Sequence, residues 1–109
     1  MRERDDPGGG PLSGRQRRWL RARAHGLDPV VSIGGKGLTE AVVAEADRAL
    51  DAHELIKVRL VGDRDEREAT AAELAERLSA EALGIVGRVA MLYRRHREPE
   101  RRRVRPPSR

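Results

Sequence analysis

The sequence predicts an α/β domain of two to three layers, its elements ordered α-β-α-β-α-β-β around an open four-stranded mixed sheet. Three observations carry this. Apolar residues recur at helical spacing in three segments. Short runs rich in β-branched residues separate those segments. The last two such runs are divided only by Gly87-Arg88, the separation of a tight hairpin. Strand–helix–strand units imply right-handed crossovers with parallel pairing, and the terminal hairpin adds an antiparallel edge. A chain of 109 residues suits one domain.

The elements follow in order. Ser13 and Gln16 fit a capping box at the start of the first helix. That helix places Gln16, Leu20, Ala24 and Leu27 on one face, flanked by Arg17 and Arg21, with Arg15, Arg18 and His25 opposite. Gly26 and Pro29 end it. Val30–Ile33 reads as a strand, Gly34-Gly35-Lys36-Gly37 as a tight loop, and Leu38 to Glu54 as a helix with Glu40 in its first turn. Leu55–Val61 alternates as a strand. Gly62–Asp65 forms a turn, and Asp65 with Glu68 makes a plausible cap for a helix running to about Ala80. Leu83–Val86 and Val89–Tyr93 form the hairpin, with Gly87 first in a type II′ turn.

Outside this domain, spanning 12–94, lie two polar ends. Residues 1–11 hold a Gly-Pro run, and residues 95–109 are Arg-rich with three prolines. Both read as arms without structure.

Composition excludes several classes. No Cys is present, so neither disulfides nor thiolate metal sites are possible, and the three scattered His argue against a zinc site. No apolar run approaches a membrane span. A cytoplasmic monomer without metal or cofactor is expected. With one Trp, one Tyr and no Phe, modules that stack bases on aromatic platforms are disfavoured. The net charge of +5 is unevenly placed. Residues 12–39 carry +5, residues 40–81 carry −6, and residues 94–109 carry +6. A coding bias would explain 21 Arg against 2 Lys, but not the absence of acids from 13–24. Such sorting is the footprint of a polyanion binder.

The glycine loop is the most specific candidate site. Gly34, Gly35 and Gly37 permit close approach of another backbone, and Lys36 adds a cation at the start of a helix. The spacing is neither Walker A nor GxGxxG, but it fits a GxxG clamp on a nucleic-acid backbone. An ordinary strand-to-helix turn would have the same four residues. Lys57 and Arg59 either extend a basic surface or form a solvated strand face. His25 suits a helix cap, and Trp19 suits packing beside the apolar stripe. No carboxylate pair or nucleophile–base arrangement stands out, so an enzyme is not expected.

From Leu12 to Arg94 the chain resembles the YhbY family, the bacterial single-domain form of the CRM domain (chloroplast RNA splicing and ribosome maturation). The resemblance rests on LSGRQRRWLRARAHGLDPVVSIGGKGLTEAVVAEADRAL, HELIKVRL and IVGRVAMLYRR, in that order and spacing, and covers about 83 of 109 residues. The GxxG loop with Leu38-Thr39, Ala24-His25 and the closing Leu92-Tyr93-Arg94 are its specific parts, while Trp19, Gly35 and Gly84 are not hallmarks. The resemblance implies a fold similar to the C-terminal domain of translation initiation factor three. It also implies binding to ribosomal RNA in precursors of the large (50S) subunit; plant relatives assist intron splicing. The RNA-contacting residues it implies are Gly34, Gly35, Lys36 and Gly37, with Arg15, Arg18 and Arg21 as a basic surface beside them. A small phosphate- or nucleotide-binding module, or a protein adaptor using the acidic middle, would be the alternatives.

Overall fold

In the computed structural model, which describes residues 11–109, the chain forms α1 (Gly14–Ala24), β1 (Val31–Ser32), α2 (Glu40–His53), β2 (Leu55–Arg59), α3 (Arg64–Leu78), β3 (Glu81–Val86) and β4 (Val89–Tyr93). A single 3-10 turn, Pro99–Arg101, follows. The expected arm at 1–11 lies outside the described residues, save Pro11. Ser13 closes the anticipated capping box with Gln16. The cap of α3 sits two residues earlier than expected: Asp63 accepts from the Glu66 amide, and the Glu66 carboxylate accepts from the Asp63 amide. Both D-x-x-E pairs satisfy the spacing, and the turn ends at Gly62, whose φ of 96° is open to glycine.

The sheet order is β1-β2-β4-β3. β1 pairs parallel with β2, and β4 pairs antiparallel with both β2 and β3. The hairpin is therefore present with β3 at the edge; the parallel pairing expected of strand–helix–strand units is made by β1 with β2, whereas β4 lies between β2 and β3. Burial explains the choice. β4 is apolar throughout and four of its five residues are buried, whereas β3 carries Glu81, a bulge and the exposed Gly84. Val86 faces Val89 across the two-residue turn. Gly87 has φ 61°, and Arg88 is not among the residues with positive φ, as a type II′ turn requires.

Strand alternation divides the sheet between two cores. Val31, Ile33, Ile56, Val58, Ala90 and Leu92 face α2 and α3, meeting Ala46, Leu50, Leu74 and Leu78. Leu55, Leu83, Met91 and Tyr93 face α1, meeting Leu20 and Ala24. The result is three layers: α1, sheet, then α2 with α3. Arg94 ties the rim of the core beneath α2 and α3. Its guanidinium donates to the Asp47 and Asp51 carboxylates at 2.8 and 2.9 Å and to the Leu78 carbonyl at 3.0 Å.

Residues 95–109 do not form an unstructured arm. Glu54, fully buried at 0% exposure, sits between α2 and β2 in a left-handed conformation, φ 65°. Its carboxylate accepts from the amides of His96 (2.6 Å), Arg103 (2.6 Å) and Val104 (2.8 Å). Val104 then enters the α1 core beside Leu12 and Tyr93. Gln16 donates to the Pro107 carbonyl. Composition signals disorder here because Arg and Pro dominate, yet one buried carboxylate and one Val suffice to pin the segment. A buried carboxylate needs such donors, and three amides supply them.

Glu54→Gln removes the charge and one acceptor oxygen. The amides of His96, Arg103 and Val104 should then exchange faster with solvent, and stability should fall by about 2 kcal/mol. Unchanged exchange at those three amides, read by NMR, would refute the clasp.

Candidate nucleic-acid interface

The glycine loop leaves the carboxyl end of the edge strand β1. Gly37 donates its amide to the Gly34 carbonyl at 3.0 Å, closing a four-residue turn, and Gly37 itself has φ 74°. The central amides of Gly35 and Lys36 have no partner among the described residues. Turn backbone passing into a left-handed residue forms a concave set of N–H groups suited to anions. α2 begins only at Glu40, where the Thr39 hydroxyl accepts from the Val42 amide. The loop is thus a separate turn before the helix, not its first amides.

A Cβ added at Gly34, Gly35 or Gly37 meets nothing within 4 Å. Only Gly37 needs glycine for its own conformation. The fold itself gives Gly34 and Gly35 no reason to be glycine. Their benefit is open space above the backbone for something approaching from outside.

The topology chooses the loop's neighbours. The Arg59 carbonyl accepts from Ile33 on one side of β2, and the Leu60 amide donates to the Arg88 carbonyl on the other. The loop, the end of β2 and the hairpin turn therefore share one end of the sheet. Lys36, Arg59 and Arg88 are all exposed there. On the α1 side of that end, register aligns Ser32, Arg59, Val89 and Val86 in one row across all four strands. α1 stops short of this row, leaving Val86 71% exposed.

The arginines of α1 lie elsewhere. Arg17 donates to Glu81 and to the Ala82 carbonyl, and Arg21 donates to the Leu83 carbonyl at 3.1 Å. α1 is thus tied along its length to β3, the sheet edge opposite the loop. Arg15 and Arg18 are exposed there, and Arg21 is half-buried with its guanidinium engaged. The expected grouping of Arg15, Arg18 and Arg21 beside the glycine loop is not formed. Lys57, one of the two strand cations, donates to the His25 and Leu27 carbonyls and so terminates α1. Trp19 packs on the α1 core with Arg23 over its ring. Arg88 had no assigned role, because its place depends on which end of the sheet the hairpin turn occupies.

Charge is sorted in space as in sequence. The acidic residues of 40–81 lie mainly on α2 and α3, covering one face of the sheet. Among the described residues no group of His, Asp and Glu could hold a metal ion, and no helix is long and apolar enough to cross a membrane.

Residues 12–94 match the CRS1 / YhbY (CRM) domain. The chain is similar to an RNA-binding protein of Haemophilus influenzae, 42% identical over 84 residues, covering 76% of this chain and 85% of that one. It is 37% identical over 91 residues to PA4753 of Pseudomonas aeruginosa, named a "Probable RNA-binding protein", covering 83% and 88%. The solution structure of SAV1595 from Staphylococcus aureus, a candidate RNA binding protein, superposes with a TM-score of 0.74 at 32% identity, covering 86% of this chain and 99% of that one.

The two kinds of glycine should separate on unfolding. Gly35→Ala should leave stability unchanged or raise it by up to about 1 kcal/mol. Gly37→Ala should lower it by about 1 kcal/mol or more, since alanine is strained at that φ. Equal losses at both positions in urea denaturation would contradict this account of the turn.

Proposed function

The chain belongs to the CRS1/YhbY (CRM) domain family, and on that footing we propose that it binds ribosomal RNA in precursors of the large subunit and assists their assembly in the cytoplasm. The observation that carries the reading is the glycine loop: unpartnered amides, open space over Gly34 and Gly35, and Lys36 beside them. Backbone amides of this kind suit phosphate oxygens, and a lysine adds attraction without demanding one geometry. Arg59 and Arg88 flank the loop at the same end of the sheet and supply further phosphate contacts. Arg15 and Arg18, over the far edge, add long-range attraction, while Arg21 holds β3.

Specificity then comes from the shape of a folded RNA. Two aromatic residues in the whole chain offer no platform for splayed bases, and Tyr93 is buried. The acidic helices α2 and α3 repel phosphate, which confines a polyanion to the loop end and the α1 side. The chain acts as a monomer, and its nearest chemical alternative is a module that holds a free nucleotide by the same loop.

Lys36→Glu should weaken binding to a large-subunit ribosomal RNA fragment at least tenfold, with the melting temperature unchanged, because it reverses charge at an exposed residue. Gly35→Ala should weaken it by a smaller factor. In lysates on a sucrose gradient the parent protein should travel with large-subunit precursors and the Lys36→Glu variant should not. Equal RNA affinity of parent and Lys36→Glu, or migration of the parent only as a free small protein, would count decisively against the proposal.

A further inference from the structure

α1 ends one row short of the loop end of the sheet, and the step it leaves is a shallow cavity of about 190 Å3. Val86, Val89 and Met91 line it from the hairpin, with His25 at the end of α1 and Lys57 on β2. Lys57 fixes the wall of the step: its Nζ donates to the His25 and Leu27 carbonyls at 3.3 and 2.9 Å. Val86 and Val89 are directly opposed across the hairpin, and packing on each other accounts for part of their choice. It still leaves Val86 71% exposed, on a stretch of sheet that no helix covers. An uncovered sheet face is normally polar. Two adjacent valines beside a built step are more than a scattered apolar residue. No carboxylate lines the cavity. Arg59 neighbours Val89 in the same row, Arg88 sits in the turn between the two valines, and both are exposed.

Size and chemistry select the occupant. Pockets for whole small molecules begin at about 300 Å3, so this step suits a smaller group, on the scale of one heterocycle. Its floor is aliphatic and its wall carries an exposed imidazole, which together suit a flat ring that lies on methyls and stacks on one side. Its rim is cationic, which suits a ring tethered to phosphates. We propose that the step takes one unpaired base of the RNA, with the phosphates that flank it on Arg59 and Arg88. The inference rests on the RNA-binding reading above and deepens it: the preferred RNA is a folded one with a bulged or extruded nucleotide, not an uninterrupted duplex. A single base needs no aromatic platform when valine methyls form the floor. The step also continues into the glycine loop. Val86 and Ser32 lie at the two ends of one row, three strand spacings or roughly 14 Å apart, and Gly34 follows Ser32 by two residues. A strand leaving the step along that row meets the loop amides and Lys36.

The test titrates the full-length protein with a stem-loop RNA carrying one bulged adenosine, and with the same stem-loop made abasic at that nucleotide. The two RNAs carry the same phosphates, so diffuse attraction is equal for both. The parent should bind the bulged RNA about tenfold more tightly, the effect of one stacked base. His25→Ala and Val86→Ser change exposed side chains that the fold tolerates. Each should cut the preference to below about threefold without altering the slope of log affinity against log salt, since no phosphate contact is lost. In the parent complex, nuclear Overhauser contacts should join adenine ring protons to the methyls of Val86 and Val89. Equal affinity of the parent for the two RNAs, or a preference that survives both substitutions, would overturn the base site and leave phosphate binding by the glycine loop standing. Failure of the parent to bind either stem-loop or a large-subunit ribosomal RNA fragment would remove the RNA-binding reading and the base site together. Overhauser contacts between Val86 methyls of two protein copies, in place of contacts to adenine, would overturn the base site in favour of self-association.

Discussion

The Glu54 carboxylate is the interaction on which the C-terminal half of the surface depends. It is buried, it follows α2 directly, and its left-handed backbone turns the chain from helix into β2. That conformation costs on the order of 1 kcal/mol for a residue with a side chain. Three amides from a segment about fifty residues away offset the cost and the burial of charge. The Glu54 carbonyl also accepts from the Arg94 amide, so the same residue ties α2, β2 and the end of β4. Without it, Val104 has no route into the α1 core, and the arginines beyond it have no fixed place.

Packing on both faces of the sheet then decides where function can sit. α2 and α3 close one face and bring the acids with them; α1 closes part of the other and stops before the row Ser32, Arg59, Val89 and Val86. Cations therefore concentrate at the two ends of the sheet, where connections and termini emerge. The glycine loop and the hairpin turn share one end, and the clasped C-terminal segment occupies the other. An acidic back and cationic ends would orient an approaching polyanion before any contact forms.

Much of this was legible in the residues, for identifiable reasons. The Ser13–Gln16 box, the alternation of Ile56, Val58 and Leu60, and the Gly87-Arg88 hairpin are local signals, and each held. The fold class followed from their order. Long-range facts were harder. Which hairpin strand lies inside the sheet depends on burial, although the wholly apolar β4 against the Glu- and Gly-bearing β3 carried the hint. The partner of Glu54 could not be read, since nothing local marks an acid at a helix end as an anchor for distant amides. For the candidate site, the loop was legible as a motif. Its neighbours were not: α1 runs to the far edge and spends Arg17 and Arg21 on β3, while Arg88 arrives at the loop end only through topology.

The use of Arg17 and Arg21 has a consequence for solubility. β3 is an edge strand, and an edge strand with free carbonyls and amides is a template on which another chain can add by β-augmentation. Two successive carbonyls of β3, those of Ala82 and Leu83, are already taken by guanidinium groups, and the bulge between Ala82 and Gly84 breaks the ladder at the same point. A second copy that tried to pair there would meet fixed positive charge and an irregular backbone. The arginines that the first helix withholds from the glycine loop thus leave β3 with fewer free carbonyls for an added strand to pair with.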